Sequence, residues 1–308
     1  MTSVSTSAFY QSAIFNMNKL RDSTDTLQQQ ISTGNKIVHS YDDPLAAAQM
    51  RALQAADTLS TATTATTNAA KTQLTQSDNT LSEFSTVVSQ LQTLATQAAN
   101  GTMSATDRQA VGTQVAAYYQ NLVSLANTKD ANGNPLFGGQ GTGTAYTADA
   151  SGNLTYTGTS SASTLSLGPG LSVTTGVTGP DFLNFTGSDG TSKNLLSVVK
   201  TLADTLQNTS TSTSAGIAAA QSAMKDLTSG QDAISTSQTI VGARLAWIST
   251  TGTMQSQLGT QRSTNEASVG GTDMTAAAAT LSQQMTVLQA AQASFIKVSS
   301  LSLFSLIN

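Results

Sequence analysis

The chain has 308 residues, no cysteine and a net charge of -4, with 10% charged and 5% aromatic residues. The missing cysteine removes disulfides, thiolate metal sites and cysteine nucleophiles, and Lys and Arg are scattered singly from Lys19 to Lys297, which disfavours nucleic-acid binding. No apolar run approaches the ~20 residues that span a bilayer, and Met1 to Tyr10 lack the charged and apolar regions of a cleaved signal peptide, so neither membrane insertion nor that route of secretion is expected.

From Ala13 onward, Ala13, Met17, Leu20, Thr24, Leu27 and Ile31 step alternately by four and three, the seam of a coiled coil. The first element is therefore a helix, ending at Gly34-Asn35. After a loop to Asp42, Asp43-Pro44 joins an N-cap carboxylate to a proline at a first helical turn. The helix that starts there is Ala-rich to Ala70 and then carries the heptad positions Leu74, Ser77, Leu81, Phe84, Val88, Leu91, Ala95 and Ala98, with Asn100-Gly101 closing it. Ser104 or Thr106 caps a third helix with the seam Val111, Val115, Tyr118, Leu122 and Leu125. Asp130 to Gly133 reads as a turn.

Between about Gly138 and Gly190 the composition shifts to Gly, Thr and Ser, and the alternating runs Asn153–Thr157, Thr164–Leu167 and Leu171–Thr175 predict short strands. With few large apolar residues, this insert must have a thin core that leans on its neighbours. Helical periodicity returns at Leu195, Val198, Val199, Leu202 and Leu206. It continues through Ile217, Met224, Leu227, Ile234, Val241, Leu245, Ile248 and Leu258, and in a last helix with Met274, Ala278, Leu281, Met285, Leu288 and Phe295.

The expected fold is mainly α with a β-rich insert: a long coiled-coil-like bundle formed by the two halves of the chain, with a small β domain in the middle. Residues 1–40 form an N-terminal assembly helix, 41–137 the first half of a helical rod, 138–192 the insert, 193–265 the returning half and 266–308 a C-terminal assembly helix. The low charge makes side-by-side packing of copies inexpensive. The terminal seams, Met17, Leu20, Leu27 and Ile31 at the start and Leu281, Met285, Leu288 and Phe295 at the end, are candidate assembly residues. The same pattern also serves an intramolecular bundle core.

Catalytic chemistry finds little to use. His39, the only histidine, lies in a polar loop, and no G-x-S-x-G elbow is present. Ser222-Ala-Met-Lys225, Ser294-Phe-Ile-Lys297 and Ser77-Asp78-Asn79 match fragments of the penicillin-recognising motifs, but K-T-G is missing and their order is wrong. Asp130, Asn132 and Asn134 open like a calcium loop, yet Pro135 stands where Gly is needed and Gly141 where the bidentate Glu belongs. Asp42 and Asp43 read as caps. No enzyme activity, metal or cofactor is expected.

Specific residues at both ends carry a family resemblance. Ile31-Ser-Thr-Gly34-Asn-Lys36-Ile37 followed by Asp42-Asp43-Pro44, then Leu136-Phe137-Gly138-Gly139, the returning Gly242-Ala243-Arg244-Leu245, and an ending with Ser302-Leu303-Phe304 resemble the flagellin superfamily. Pro44 and the Ser-Leu-Phe ending are most similar to the branch that joins hook to filament, whereas Pro135 departs from the aromatic residue often found before L-F-G-G. The motifs cover about residues 1–140 and 235–308 and leave the insert unmatched.

The resemblance implies a structural, extracellular subunit of the bacterial flagellum that assembles into a ring with copies of itself. It would sit between a second hook-associated protein on the hook side and flagellin on the filament side, with Leu303 and Phe304 joining the assembly residues. It also implies flagellar type III export without a cleaved signal, and an export chaperone on the C-terminal helix, Thr272 to Asn308. A short flagellin forming the filament itself is the alternative, and an adhesin or carbohydrate-binding role of the insert a further one, for which Tyr146, Tyr156, Phe182 and Phe185 are the large rings available.

Overall fold

The computed structural model describes residues 2–150 and 152–304. It is mainly α: α1 (Thr2–Thr33), α2 (Pro44–Ala98) and α3 (Ala105–Ala126) precede the insert, and α5 (Leu195–Gln207), α6 (Thr213–Gly270) and α7 (Met274–Phe304) follow it. The insert holds three antiparallel hairpins, β1 (Tyr146–Ala148) with β2 (Leu154–Tyr156), β3 (Thr164–Gly168) with β4 (Leu171–Thr174), and β5 (Asn184–Thr186) with β6 (Ser192–Asn194). A one-turn helix, α4 (Gly179–Leu183), leads into β5.

The helix boundaries follow local chemistry. Gly34 ends α1 at φ 71°, a left-handed conformation that a Cβ disfavours. Pro44 is the first residue of α2, and the Asp43 carboxylate accepts from the Ala46 amide at 3.0 Å. Ser104 caps α3 by accepting from the Asp107 amide. Gly101 keeps a negative φ, so α2 does not end through a left-handed glycine there.

The fold divides into two compact units, residues 60–255 and residues 1–59 with 256–308. The 60–255 unit holds the large core. All eight heptad positions of α2 from Leu74 to Ala98 are fully buried. On α6 the buried row is Ala220, Ala223, Leu227, Ile234, Ser237, Val241 and Ile248, with Gly230 in the same row. On α3 the buried face runs Val111, Val115, Tyr119, Leu122 and Ala126. Tyr119 thus replaces the expected Tyr118, and its hydroxyl donates to the Gly152 carbonyl at 3.1 Å. Small residues let these helices approach closely: a Cβ on Gly230 would stand 2.7 Å from Leu195.

The insert shares this core instead of building its own. Leu167, Val173, Val177, Phe182 and Leu183 join the same buried cluster as Phe84 and Phe137. Lys193 of β6 ties its hairpin to α6 through a 2.7 Å ion pair with buried Asp226, which is the leading reason its ammonium pKa is raised, and it also pairs with Asp189 at 3.0 Å.

Arg108 is 4% exposed. Its guanidinium donates to the carbonyl of Ala98 (3.1 Å), the last residue of α2, and to those of Asn100 (3.2 Å) and Met103 (3.3 Å) in the linker to α3. Replacing it by Leu keeps apolar bulk but removes the donor from all three carbonyls, of which Asn100 alone keeps another, the Met103 amide at 3.3 Å. Arg108→Leu is expected to cost about 2–3 kcal/mol, read as a lower urea midpoint at unchanged slope.

Candidate assembly interface

The residue 1–59 and 256–308 unit is built differently. Among its described residues only Thr24, Ala47, Gly270 and Ala277 are buried, and no large apolar side chain is. Its centre is the antiparallel pair α1–α7. At one end Lys36 donates its amide to the Gly270 carbonyl at 2.7 Å and Thr272 to the Gly34 carbonyl at 2.9 Å. Toward the other, Tyr10 meets Phe295 edge-to-face at 5.5 Å and its hydroxyl reaches the Val298 carbonyl at 3.4 Å. Arg262 of α6 pairs with Asp57 of α2 at 2.6 Å in the same unit.

The predicted α1 seam is the row that the structure half-buries: Met17, Leu20, Leu27 and Ile31, with Thr24 the most covered. On α7 the row is turned by one residue. Ala277, Leu281, Gln284, Leu288, Ala291 and Phe295 are the covered positions, whereas Met274 and Met285 are 48% and 47% exposed and Ala278 is exposed. Both rows step by three and four, and polarity favoured Met285 over Gln284 in the sequence. The helix places Gln284 inward, with an Oε1 that no group among the described residues satisfies. The side chains of Leu303 and Phe304 lie outside the described residues.

Both sides of this seam remain open. Phe9, Ala13, Met17, Leu20, Ala291 and Phe295 line an apolar groove on one side, and Met17, Leu288 and Phe295 reach the other. Among the described residues, the exposed large hydrophobic side chains concentrate in this unit: Phe15 and Ile296 at 68%, Leu45 at 72% and Tyr41 at 76% stand out, and only Ile240, Trp247 and Met254 lie in the 60–255 unit. Sequence reasoning missed Tyr10, although it stands three residues before Ala13 and seven before Met17 in the same heptad phase.

The motif residues hold backbone. Asp42 accepts from the His39 amide at 2.7 Å, and the His39 ring stacks on Tyr41 at 5.0 Å, so the loop histidine is part of a turn. Asp130 accepts from the Asn132 and Asn134 amides, both at 2.9 Å. Leu136 and Phe137 are buried, Gly138 and Gly139 turn the chain, and Gly139 has φ 67°. Arg244 donates to the Gly176 carbonyl, and burial lowers its pKa. Leu245 packs on the core, while Gly242 and Ala243 face solvent. Among the described residues no three His, Asp or Glu side chains are grouped to hold a metal ion, and no helix is long and apolar enough to cross a membrane.

Residues 4–142 match the bacterial flagellin N-terminal helical region. The flagellar hook-associated protein 3 of Escherichia coli K12 is 32% identical over 124 residues, 40% of this chain and 39% of that protein. The protein of the same name from Salmonella typhimurium LT2 is 24% identical over 315 residues, 98% of this chain and 99% of that protein. Among solved structures, the flagellar junction protein FlgL from Legionella pneumophila superposes with a TM-score of 0.62 at 16% identity, covering 72% of this chain and 99% of that one. The fold is thus the mainly helical one with a small β insert.

Proposed function

We propose that this chain, whose residues 4–142 form a flagellin-type N-terminal helical region, is a structural subunit of the bacterial flagellum that adapts the hook to the filament. The observation that carries the reading is the end-to-end likeness to a flagellar hook-associated protein 3, 98% of this chain against 99% of that protein. The geometry agrees with it. A unit that buries no large apolar side chain among its described residues, yet exposes Phe15, Tyr41, Leu45 and Ile296, gains stability when neighbours cover those surfaces.

In this role α1 and α7 are the assembly helices, residues 1–40 and 266–308, and the helical halves 41–137 and 193–265 carry the insert 138–192 between them. Met17, Leu20, Leu27, Ile31, Leu281, Leu288 and Phe295 hold the two assembly helices together, and Met285 on the flank meets a neighbour. The partners are further copies in a ring, a second hook-associated protein toward the hook and flagellin toward the filament. Before assembly an export chaperone covers the C-terminal helix from Thr272 on, and the chain leaves by the flagellar type III route to lie outside the cell. The chain acts by packing and catalyses nothing.

Deleting the gene tests the reading. The expected result is cells with hooks but no filaments, and flagellin lost to the medium. Filaments still attached to deletion cells overturn it.

A further inference from the structure

The sequence contains two Asn-Gly steps, Asn100-Gly101 and Asn132-Gly133, both at exposed turns. A glycine after asparagine leaves the next main-chain nitrogen unshielded by a Cβ, so that nitrogen can reach the side-chain amide carbon and close a five-membered ring. We infer that the structure directs this chemistry to Asn100, making the turn between α2 and α3 a site of spontaneous deamidation, and that Arg108 steers the product to isoaspartate.

The two steps differ at the attacking nitrogen. The Gly133 amide donates to the Asp130 carbonyl at 3.0 Å, and Asp130 also holds the Asn132 and Asn134 amides, so that turn is tied down. Among the described residues no acceptor meets the Gly101 amide, and a Cβ on Gly101 would have nothing within 4 Å. They differ again at the carbon under attack. The Asn100 Oδ1 accepts from the Thr102 amide at 3.0 Å and from the Thr102 hydroxyl at 2.8 Å. Attack on Cγ moves negative charge onto that oxygen, and two donors already aimed at it stabilise the charge as it forms. The Asn132 side chain has no such donors among the described residues.

The reaction needs only water. The Gly101 nitrogen bonds to Asn100 Cγ, the Cγ–Nδ2 bond breaks, and the proton of the Gly101 amide leaves with Nδ2 as ammonia. Water then opens the succinimide. Addition at Cγ gives aspartate. Addition at the former main-chain carbonyl carbon breaks its bond to the Gly101 nitrogen and gives isoaspartate, whose free carboxylate is made from that carbonyl. Arg108 favours the second route. Its Nη2 donates to the Asn100 carbonyl at 3.2 Å and so draws electrons from the carbon where water must add. Among the described residues no carboxylate pairs with this buried guanidinium, and the neighbouring Asp107 is engaged by the Ser104 hydroxyl at 2.7 Å. Isoaspartate puts a carboxylate on the atom that Arg108 already touches, whereas aspartate would put its charge beside the neutral donors of Thr102.

The full-length protein tests this when aged in mildly alkaline buffer, native or unfolded in guanidinium chloride. Peptide masses follow each deamidation, and enzymatic methylation counts isoaspartate. In the native protein Asn100 should react about threefold or more faster than Asn132, and the two rates should converge in guanidinium chloride, where Thr102 and Asp130 no longer hold their turns. Thr102→Ala removes the hydroxyl donor and should slow Asn100 by about threefold, the share of one neutral hydrogen bond, while Thr102→Ser restores the rate. The ratio of isoaspartate to aspartate at position 100 should be higher in the native protein than in the unfolded one. A native rate at Asn132 equal to or above that at Asn100, or a Thr102→Ala rate that does not change, overturns the site. A product ratio no higher in the native protein overturns the part assigned to Arg108.

Discussion

Phe137→Ala is expected to cost the 60–255 unit about 3–5 kcal/mol, the usual range for emptying a large aromatic side chain from a core that cannot collapse around the void. Phe137 is fully buried. Its ring packs on Phe182 at 4.8 Å and on Phe84 at 6.3 Å, and these two meet each other edge-to-face at 5.1 Å. The three rings come from three separate segments: α2, the turn that leaves the first helical half, and α4. The backbone of Phe137 adds to the link, because its carbonyl accepts from the Gly179 amide at 2.9 Å and from the Tyr156 hydroxyl at 3.1 Å.

Removing the ring thus loosens the point where the insert is fastened to the helices. With roughly 2–4 °C per kcal/mol for a domain of this size, the melting temperature should fall by about 10 °C. Urea unfolding followed by circular dichroism checks it, and a midpoint change equivalent to less than about 1 kcal/mol would falsify the claim that this cluster anchors the insert. Phe182→Ala should behave similarly. The double variant should cost less than the sum, since the two rings share one contact.

That cluster also shows what the sequence made legible and what it did not. Leu136-Phe137 stood out as two large apolar residues before a glycine pair, and the heptads from Leu74 to Ala98 proved buried at every position, because one strong periodicity sufficed to place them. Long α6 was harder to phase. Much of its inward row is Ala220, Ala223, Gly230 and Ser237, small residues whose burial is a consequence of close helix approach and leaves no apolar signal. The β5–β6 hairpin gave no alternation to read, since its anchor is the Lys193–Asp226 pair, formed across 33 residues of sequence. On α7 two rows one residue apart had the same spacing. The choice between Met285 and Gln284 depended on where α1 lay, which is tertiary information.

The displaced row makes α7 a place where two roles can be separated. Leu288 and Met285 are three residues apart, but Leu288 faces α1 beside Met17 and Phe295, while Met285 is 47% exposed on the flank. Leu288→Asp puts a carboxylate into the half-covered seam. It should cost the α1–α7 pairing about 2 kcal/mol or more, from lost apolar burial and from a charge without a partner. The helical signal of the monomer should fall, while the urea midpoint of the 60–255 unit stays where it was, since Phe84, Phe137 and Phe182 are untouched. Met285→Asp should leave the monomer's helical signal intact, because an exposed side chain has no seam to break. If the flank meets a neighbouring subunit, that same variant reintroduced into deletion cells should restore filaments at less than about a tenth of the wild-type frequency, the charge being buried only in the assembled state. Should Met285→Asp support filaments as well as the wild type while Leu288→Asp does not, the α7 surface ends at its pairing with α1. The contacts between subunits must then be sought on other faces.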